Sequence, residues 1–334
     1  MKIAYGTPWF FVLVLCPIVS GSAGGRYDLA MDVLSDAIGV MRTGRPHSTE
    51  IRKRAPWGVR AEPFSGAGFH VVLEGTCWLI PPAGAPIAMG VGDVVCLPHG
   101  CGHALVDNPS TPLTGTPSAS LATVQPSADD NATTILLCGA YTLDRTRPHP
   151  LFAELPEVIH LPASLGRRSR LHAAVNLLGD EIAEPRHGSG AVVSALLDTM
   201  LLYIVRAWLD EQAEGSPATG WAATLNDPAI MAALHHIHQE PARQWTVETL
   251  GATAALSRAA FSRRFSSLVG KPPLGYLTWW RMTLAARLLR DGDKPMQAVA
   301  EQTGYTSEFA FAKAFKREYG IAPGQYRRGA RNAA

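Results

Sequence analysis

Residues 257–276 read SRAAFSRRFSSLVGKPPLGY, and residues 307–326 read SEFAFAKAFKREYGIAPGQY. The positions that match at a single offset of 50 residues include one serine, two phenylalanines, one glycine, one proline and one tyrosine. A serine at the start of each copy suits a helix N-cap, because its side chain accepts a hydrogen bond from the first turn. The two phenylalanines of a copy are four residues apart and therefore share one helical face. Each copy is thus predicted to be a capped helix that packs on a neighbour.

A further helix is predicted just before each copy, over residues 247–253 and 296–302. A helix, a short turn and a capped second helix form a helix-turn-helix, whose second helix enters the major groove of DNA. We therefore predict two such motifs, at about residues 246–269 and 296–319. Residues 274–290 connect them as a helix about 25 Å long, which suits successive major grooves about 34 Å apart. The alternative is a plain helical bundle with a basic surface, and the duplicated pattern favours DNA binding.

Charge is unevenly divided along the chain. The 334 residues include 30 Lys and Arg and 28 Asp and Glu, for a net charge of +2. Residues 240–334 hold 15 Lys and Arg against 7 Asp and Glu, whereas the rest of the chain holds 15 against 21. A basic end behind an acidic remainder indicates a polyanionic partner. A composition with 47% apolar and 17% charged residues excludes a disordered or collagen-like chain.

Residues 227–328 resemble the DNA-binding domain of the AraC/XylS family of bacterial transcriptional regulators. The resemblance is carried by WTVETL at 245–250, LSRAAFSRRF at 256–265, RMTLAARLL at 281–289 and PGQYRR at 323–328. It implies a regulator, not an enzyme, that binds specific sequences in double-stranded promoter DNA. It also implies RNA polymerase as a partner if the protein is an activator.

The resemblance further implies which side chains contact DNA. Base-edge candidates lie on the exposed face of the second helix of each motif: Arg258, Ala259, Ser262, Arg263, Glu308, Phe309, Ala312 and Lys313. Arginine or lysine against guanine is the commonest direct contact, whereas Ala259 offers only an apolar contact to a thymine methyl group. The candidates for phosphate contact are basic: Arg264, Lys271, Arg281, Lys316, Arg317 and Arg327.

Residues 31–164 are predicted to form a sensor domain. Short apolar runs between glycines and prolines, as at 68–80 and 92–98, indicate strands of a sandwich or small barrel. Residues 92–103 resemble the second motif of cupin barrels, which form the sensor in one branch of the family. This resemblance implies a pocket for an effector, with three candidate residues: His70, Trp78 and His103.

A metal site is the rival interpretation of the same histidines. His70, Glu74 and His103 could form a two-histidine, one-carboxylate site for Fe(II). The chain would then be a metal-dependent cupin enzyme with a vestigial DNA-binding domain. Gly68 stands where the first cupin motif has a histidine, however, so we expect no metal, no other cofactor and no catalytic residues.

The five cysteines are odd in number and irregularly spaced, which is not typical of a disulfide framework. Cys101 lies between two histidines in a glycine-flanked loop, where a thiolate could be stabilised. Sensing of an oxidant is therefore a second hypothesis for the signal. Its candidates are Cys77, Cys96, Cys101 and Cys138.

The expected fold is α+β with two domains, a cupin-like β-barrel followed by helices and an all-α tandem helix-turn-helix domain at 227–334. Helical spacing over residues 165–212 predicts a connecting region that forms a homodimer, and residues 213–226 are predicted to be a linker.

Residues 1–25 have the parts of a secretory signal. We interpret residues 1–30 as an extension before Met31, because a DNA-binding protein must reach DNA, and we expect a cytoplasmic protein. No transmembrane helix or membrane partner is expected, since no apolar run reaches about 18 residues.

Overall fold

The sensor domain contains two antiparallel sheets. The structure is a computed structural model that describes residues 32–113, 133–144, 147–163, 169–215 and 220–333, so the predicted extension at 1–30 lies outside the described residues. The strands are β1 (His47–Lys53), β2 (Gly58–Ala61), β3 (Gly66–Glu74), β4 (Cys77–Ile80), β5 (Ile87–Met89), β6 (Val94–Leu97), β7 (His103–Val106), β8 (Thr134–Thr142) and β9 (Ile159–Leu161). One sheet has the order β1-β8-β3-β6-β9 and the other the order β2-β7-β4-β5.

Side chains from both sheets fill the space between them. Ile51 of the first sheet and Leu79 and Leu105 of the second belong to one cluster of buried apolar residues. The turn between β6 and β7 requires glycine at position 100, where φ is +58°. A Cβ atom there would lie 2.3 Å from the carbonyl oxygen of Phe64. The predicted small barrel is therefore present, and its interior is packed.

In the part of the chain that the structure describes, four helices accompany the sheets: α1 (Val33–Met41), α2 (Pro150–Glu154), α3 (Ser169–Ala183) and α4 (Ser189–Gly215). Over Ser189–Gln212, α4 is long and apolar enough to cross a membrane by length and composition. Its buried residues, including Met200, Ile204 and Val205, belong to the main apolar core. A core helix of a soluble protein meets the same criterion, so the helix is weak evidence for a membrane span.

Eight helices lie within the described residues 220–333: α5 (Gly220–Leu225), α6 (Pro228–Gln239), α7 (Val247–Thr253), α8 (Arg258–Val269), α9 (Pro273–Asp291), α10 (Met296–Gln302), α11 (Glu308–Tyr319) and α12 (Pro323–Ala333). The pairs α7–α8 and α10–α11 are the two predicted helix-turn-helix motifs. The connecting helix α9 has 19 residues and is about 28 Å long. Helix α5 lies within the stretch predicted to be a linker, and its Trp221 is fully buried.

The matched residues of the repeat explain why the helices begin and end where they do. The hydroxyl oxygens of Ser257 and Ser307 accept hydrogen bonds from the backbone N–H groups of Ala260 and Ala310. Helices α8 and α11 then stop at glycines with φ of +75°, a left-handed conformation that glycine adopts without the strain of a Cβ atom. The repeated prolines are the first residues of α9 and α12. Each copy thus contains its own start and stop signals.

The two motifs differ in what covers their phenylalanines. Phe261 and Phe265 belong to the same apolar cluster as α1, α4 and one face of the barrel. Phe311 and Phe315 belong to a separate cluster with α9 and α10. The α+β fold with two domains is confirmed, and the first motif shares its core with the sensor domain.

Two phenylalanines of α11 give a matched test of this packing. Phe315 is completely buried, whereas Phe309 is 81% exposed. We expect Phe315→Ala to lower the free energy of unfolding by about 3–5 kcal/mol, because it leaves a cavity in the core. Phe309→Ala should change it by less than about 0.5 kcal/mol. Urea unfolding followed by circular dichroism measures both, and equal losses would contradict the assignment of these two faces.

Candidate functional site

The second helix of each motif has an apolar face against the protein and a polar face toward solvent. In α8, Arg258, Ala259 and Arg263 are exposed, and Ser262 is half-buried. In α11, Glu308, Phe309 and Lys313 are exposed, and Ala312 is half-buried. The predicted base-contact residues therefore lie on the faces left open by packing. Arg263 and Lys313 occupy equivalent repeat positions, and neither has a side-chain partner within the described residues.

Several of the other cations are held by the protein itself. Arg258 Nε lies 2.9 Å from Glu248, and Arg264 Nε lies 2.6 Å from Asp227, the N-cap residue of α6. Arg327 donates to the carbonyl oxygen of Lys294. These contacts orient guanidinium groups near the motifs, and Arg258 and Arg264 remain at least half exposed.

Arg281 has a structural position that the sequence pattern did not reveal. Its Nε donates to the carbonyl oxygen of Pro241 at 2.7 Å, and its Nη2 donates to that of Arg243 at 2.8 Å. The guanidinium also lies 6.0 Å from the ring centre of Tyr305. Partial burial lowers the pKa of Arg281, and it remains a cation. These two bonds join α9 to the segment before α7, and the phosphate contact at Arg281 stays a prediction.

A buried chain of polar side chains connects the sensor domain to α6 and α9, the helices before and after the first motif. The Tyr276 hydroxyl of α9 lies 2.9 Å from His238 Nε2 of α6 and 3.1 Å from Nε2 of His149, the N-cap residue of α2. His238 Nδ1 lies 3.0 Å from the carboxylate of Asp36 in α1. Three of these side chains, those of His149, His238 and Tyr276, are buried. We call Asp36, His238, Tyr276 and His149 the interdomain relay.

The partners of the relay determine the direction of each hydrogen bond. His149 Nδ1 accepts from the backbone N–H of Leu151, so His149 Nε2 carries the proton and donates to Tyr276. The carboxylate of Asp36 accepts from His238 Nδ1, which leaves His238 Nε2 to accept from the Tyr276 hydroxyl. Every hydrogen bond is therefore satisfied with both histidines neutral. Burial lowers the pKa of both histidines, with the positive charge of a protonated His238 as a second cause for His149.

The second copy of the repeated tyrosine also contacts the sensor domain. The Tyr326 hydroxyl donates to Asp144 Oδ2 at 3.3 Å, and Asp144 follows β8. Nearby, Arg147 pairs with Glu318 of α11 at 2.8 Å and lies over the ring of Tyr319. Tyr276 and Tyr326 are equivalent residues of the repeat, and both bond to the sensor segment between Asp144 and His149. Neither contact had a signal in the sequence, because the partners are 127 and 182 residues apart.

The barrel histidines form a closed hydrogen-bonded chain. His103 Nδ1 donates to the carbonyl oxygen of Cys101 at 3.0 Å, so its Nε2 accepts from His70 Nε2 at 2.8 Å. The His70 Nδ1 atom is then an acceptor, 3.1 Å from Cys138 Sγ. Burial lowers the pKa of both histidines. These contacts occupy the ring nitrogens that a metal ion would need.

The third ligand of the rival metal site is not with the histidines. Glu74 is exposed at the end of β3, whereas His70 and His103 are buried. Within the described ranges, no group of three or more His, Cys, Asp or Glu side chains is arranged to hold a metal ion. The residues present therefore do not fit a two-histidine, one-carboxylate iron site. Trp78, the remaining effector candidate, is half-buried on β4.

The four described cysteines are unequal in reactivity. Burial raises the pKa of Cys77 and of Cys96 to about 12, and it raises the pKa of Cys138 further. These three thiols remain protonated at neutral pH and are poor nucleophiles. Cys101 is half-buried, with its Sγ 3.7 Å from the carbonyl oxygen of Glu157. Cys101 is therefore the most accessible of the predicted redox residues.

Comparison with known proteins agrees with this architecture. A family described as Cupin matches residues 32–210, and one described as Helix-turn-helix domain matches residues 250–329. An AraC-like transcription regulator of Streptomyces lividans is 32% identical over 307 residues, which cover 89% of this chain and 98% of that protein. The RCS-specific HTH-type transcriptional activator RclR of Escherichia coli is 30% identical, over 80% of this chain and 86% of its own.

A solved structure also matches the C-terminal part. The DNA-binding domain of the global transcriptional factor AdpA, in complex with a target DNA, is 36% identical and covers 32% of this chain and 96% of its own, with a TM-score of 0.31. The identity and coverage of the full-length relatives show the family. The chain belongs to the AraC-like transcription regulators, with an N-terminal cupin domain and a helix-turn-helix DNA-binding domain.

The relay predicts a loss of stability in acid. A histidine whose folded-state pKa lies below its unfolded value near 6.5 stabilises the fold fully above that pH. The contribution is lost as the pH falls toward the folded-state pKa, by at most about 1.4 kcal/mol per pH unit for each histidine. Because protonation would place two donors against each other at His149 and at His238, we expect the free energy of unfolding to fall between pH 7 and pH 5.

Variants separate the relay from the other histidines. His149→Gln retains an N–H donor that does not titrate, so its unfolding free energy should depend less on pH than that of the wild type. The exposed His187→Gln is the matched control and should leave the dependence unchanged. Urea unfolding at pH 7 and pH 5 measures the effect. A pH dependence that is identical in all three proteins would refute the neutral relay.

Proposed function

We propose that this regulator reads two segments of promoter DNA with α8 and α11, and that the sensor domain controls their engagement through the relay and the Tyr326 contact. The observation that carries the proposal is that both repeat tyrosines bond to the sensor domain, Tyr276 to His149 and Tyr326 to Asp144. A shift of these two sensor residues would act on both motifs at once. An effector that binds one arrangement more tightly would then change the population of proteins able to bind DNA.

Arg263 and Lys313 are the proposed direct readers of bases. Both are exposed, both lie on the outer face of the second helix of their motif, and neither is engaged by another described side chain. Arginine can bond to guanine O6 and N7 with two donors, whereas lysine offers a point charge. Phe309, exposed one turn earlier on α11, is suited to apolar contact with a thymine methyl group.

The proposed phosphate contacts are the remaining cations near these helices. They are Arg264, Lys271, Arg281, Lys316, Arg317 and Arg327. Lys316 and Arg317 lie in the last turn of α11 and are exposed. Lys271 lines a groove with Arg147 of the sensor domain and Trp279, so it lies between the DNA-binding and the sensor parts. Such contacts give affinity that depends on salt and little on sequence.

The proposed partners follow from the same surfaces. Helices α3 and α4 expose two large apolar side chains, Leu177 at 56% and Val192 at 43%. Apolar surface on a helical hairpin suits a second copy of the chain, and a homodimer would pair DNA-binding domains on two half-sites. RNA polymerase is the further partner if the protein activates transcription. We place action in the cytoplasm, where the DNA is.

The test compares two cationic variants on DNA from upstream of the protein's own gene and on a scrambled duplex. Arg263→Ala should weaken binding to the specific DNA by about 1–3 kcal/mol and relax base preference at one position. Lys316→Ala should weaken binding to both duplexes and reduce the salt dependence. Fluorescence anisotropy across a salt series measures both effects.

The control for charge is Arg186→Ala, because Arg186 is exposed in the turn between α3 and α4 of the sensor part. It removes the same charge and should leave both affinities unchanged. Equal losses on the two duplexes from Arg263→Ala would overturn its assignment as a base reader. No binding to either duplex at low salt would overturn the proposed DNA contacts altogether.

A further inference from the structure

A cavity of about 220 Å³ lies beside the relay, outside the packed barrel interior. Its walls come from the end of α1, the turn after β6, the end of β8 and the start of α2. The lining residues are Met41, Pro98, His99, Leu143, Pro148, Phe152 and Ala153. None of the three effector candidates taken from the sequence, His70, Trp78 and His103, lines it. It is thus a site separate from the barrel histidines.

The chemistry of the lining selects an uncharged apolar ligand. Met41, Pro98, Leu143 and Phe152 are buried and form the inner wall. Among the described lining residues none is Asp, Glu, Lys or Arg, and His99 Nε2 is bonded to the carbonyl oxygen of Leu155 at 2.8 Å. A charged group would lose its hydration here without gaining a counter-charge.

The volume sets the size of the ligand. An apolar protein cavity of about 150 Å³ stays dry and takes up benzene. A cavity of about 220 Å³ has room for one substituted aromatic ring or a short alkyl chain. Pro148 and Ala153 are exposed at the rim, so the cavity has an entrance from solvent.

The cavity wall is bonded directly to the relay. The backbone N–H of His149 donates to Met41 Sδ at 3.2 Å, and the backbone N–H of Phe152 donates to the carbonyl oxygen of His149 at 2.8 Å. Met41 ends the helix that carries Asp36. Two of the lining residues therefore touch one end of the relay, and one of them lies on the helix that forms the other end.

We propose that this cavity is the effector site and that it takes a small, uncharged, apolar molecule the size of one substituted ring. Occupancy moves Met41 and α2 relative to each other and so changes the hydrogen bond between His149 and Tyr276. The effector role rests on the proposed function, since it needs DNA engagement as its output. The binding of the molecule to the cavity does not rest on the proposed function.

The first experiment measures ligand binding to the full chain by calorimetry, with toluene as the probe and benzoate as a charged probe of similar size. The wild type should bind toluene and not benzoate. Ala153→Trp places a large side chain at the rim and should weaken toluene binding at least about tenfold. Ala183→Trp, at an exposed position of α3, is the matched control and should keep the wild-type affinity.

A second variant tests the cavity independently, in case Ala153→Trp does not fold. Leu143→Ala enlarges the cavity and should favour a bulkier probe, propylbenzene, over toluene relative to the wild type. Absence of toluene binding to the wild type, equal binding of benzoate, or equal affinity in Ala153→Trp and the wild type would each overturn the site.

DNA affinity measured with and without toluene tests the effector role. In the wild type and Ala183→Trp, toluene should change the affinity for the upstream DNA at least about threefold, and in Ala153→Trp it should not. Toluene binding with unchanged DNA affinity would overturn the effector role, and the cavity would still be supported as a ligand-binding site. Absence of DNA binding in every sample, with or without toluene, would instead contradict the proposed function. Calorimetry would still show whether the cavity binds toluene.

Discussion

The hydroxyl group of Tyr276 is the contact on which the arrangement of the domains depends. It is fully buried, donates to His238 and accepts from His149, so one oxygen joins α9 to α6 and to α2. A buried polar group that loses its partner costs about 1–3 kcal/mol, and without the Tyr276 hydroxyl both His149 Nε2 and His238 Nε2 would lose the partner they have there. The rings around it add packing, since His238 stacks on Trp280 at 3.8 Å and His149 meets Trp221 edge-on at 4.7 Å.

The sequence repeat provides a second tyrosine that contacts the sensor domain. The same repeat that supplies serine caps, buried phenylalanines and terminating glycines also supplies Tyr326, which bonds to Asp144. The first tyrosine lies in a shared core and the second in the separate core of the second motif. The first motif is therefore attached to the sensor through packing and a polar relay, and the second through polar contacts at its edge.

The sequence was sufficient where structure is determined locally. The bounds of α7 and α10 match the predicted ranges because N-caps, prolines and the phenylalanine spacing act within a few residues. The sequence was insufficient where a contact joins residues that are far apart along the chain. The relay joins residues from three helices and the N-cap of a fourth, and a histidine or tyrosine there has no local sign of a distant partner. Arg281 shows the same limit, because its basic character gave no sign that two of its donors bind backbone carbonyl groups. In the barrel, spacing placed His70 and His103 together, and their bond to each other depends on tautomers that spacing does not specify.

The central claim is that the Tyr276 hydroxyl couples the sensor domain to α6 and α9, the helices on either side of the first motif. Hydrogen–deuterium exchange of the full chain, in the wild type and in Tyr276→Phe, tests it most directly. Tyr203→Phe, at a half-buried position of α4 outside the relay, is the control. The account predicts faster exchange in α1 and α2 of Tyr276→Phe alone, although neither helix is changed in sequence. Exchange in α1 and α2 that is the same in all three proteins would contradict it.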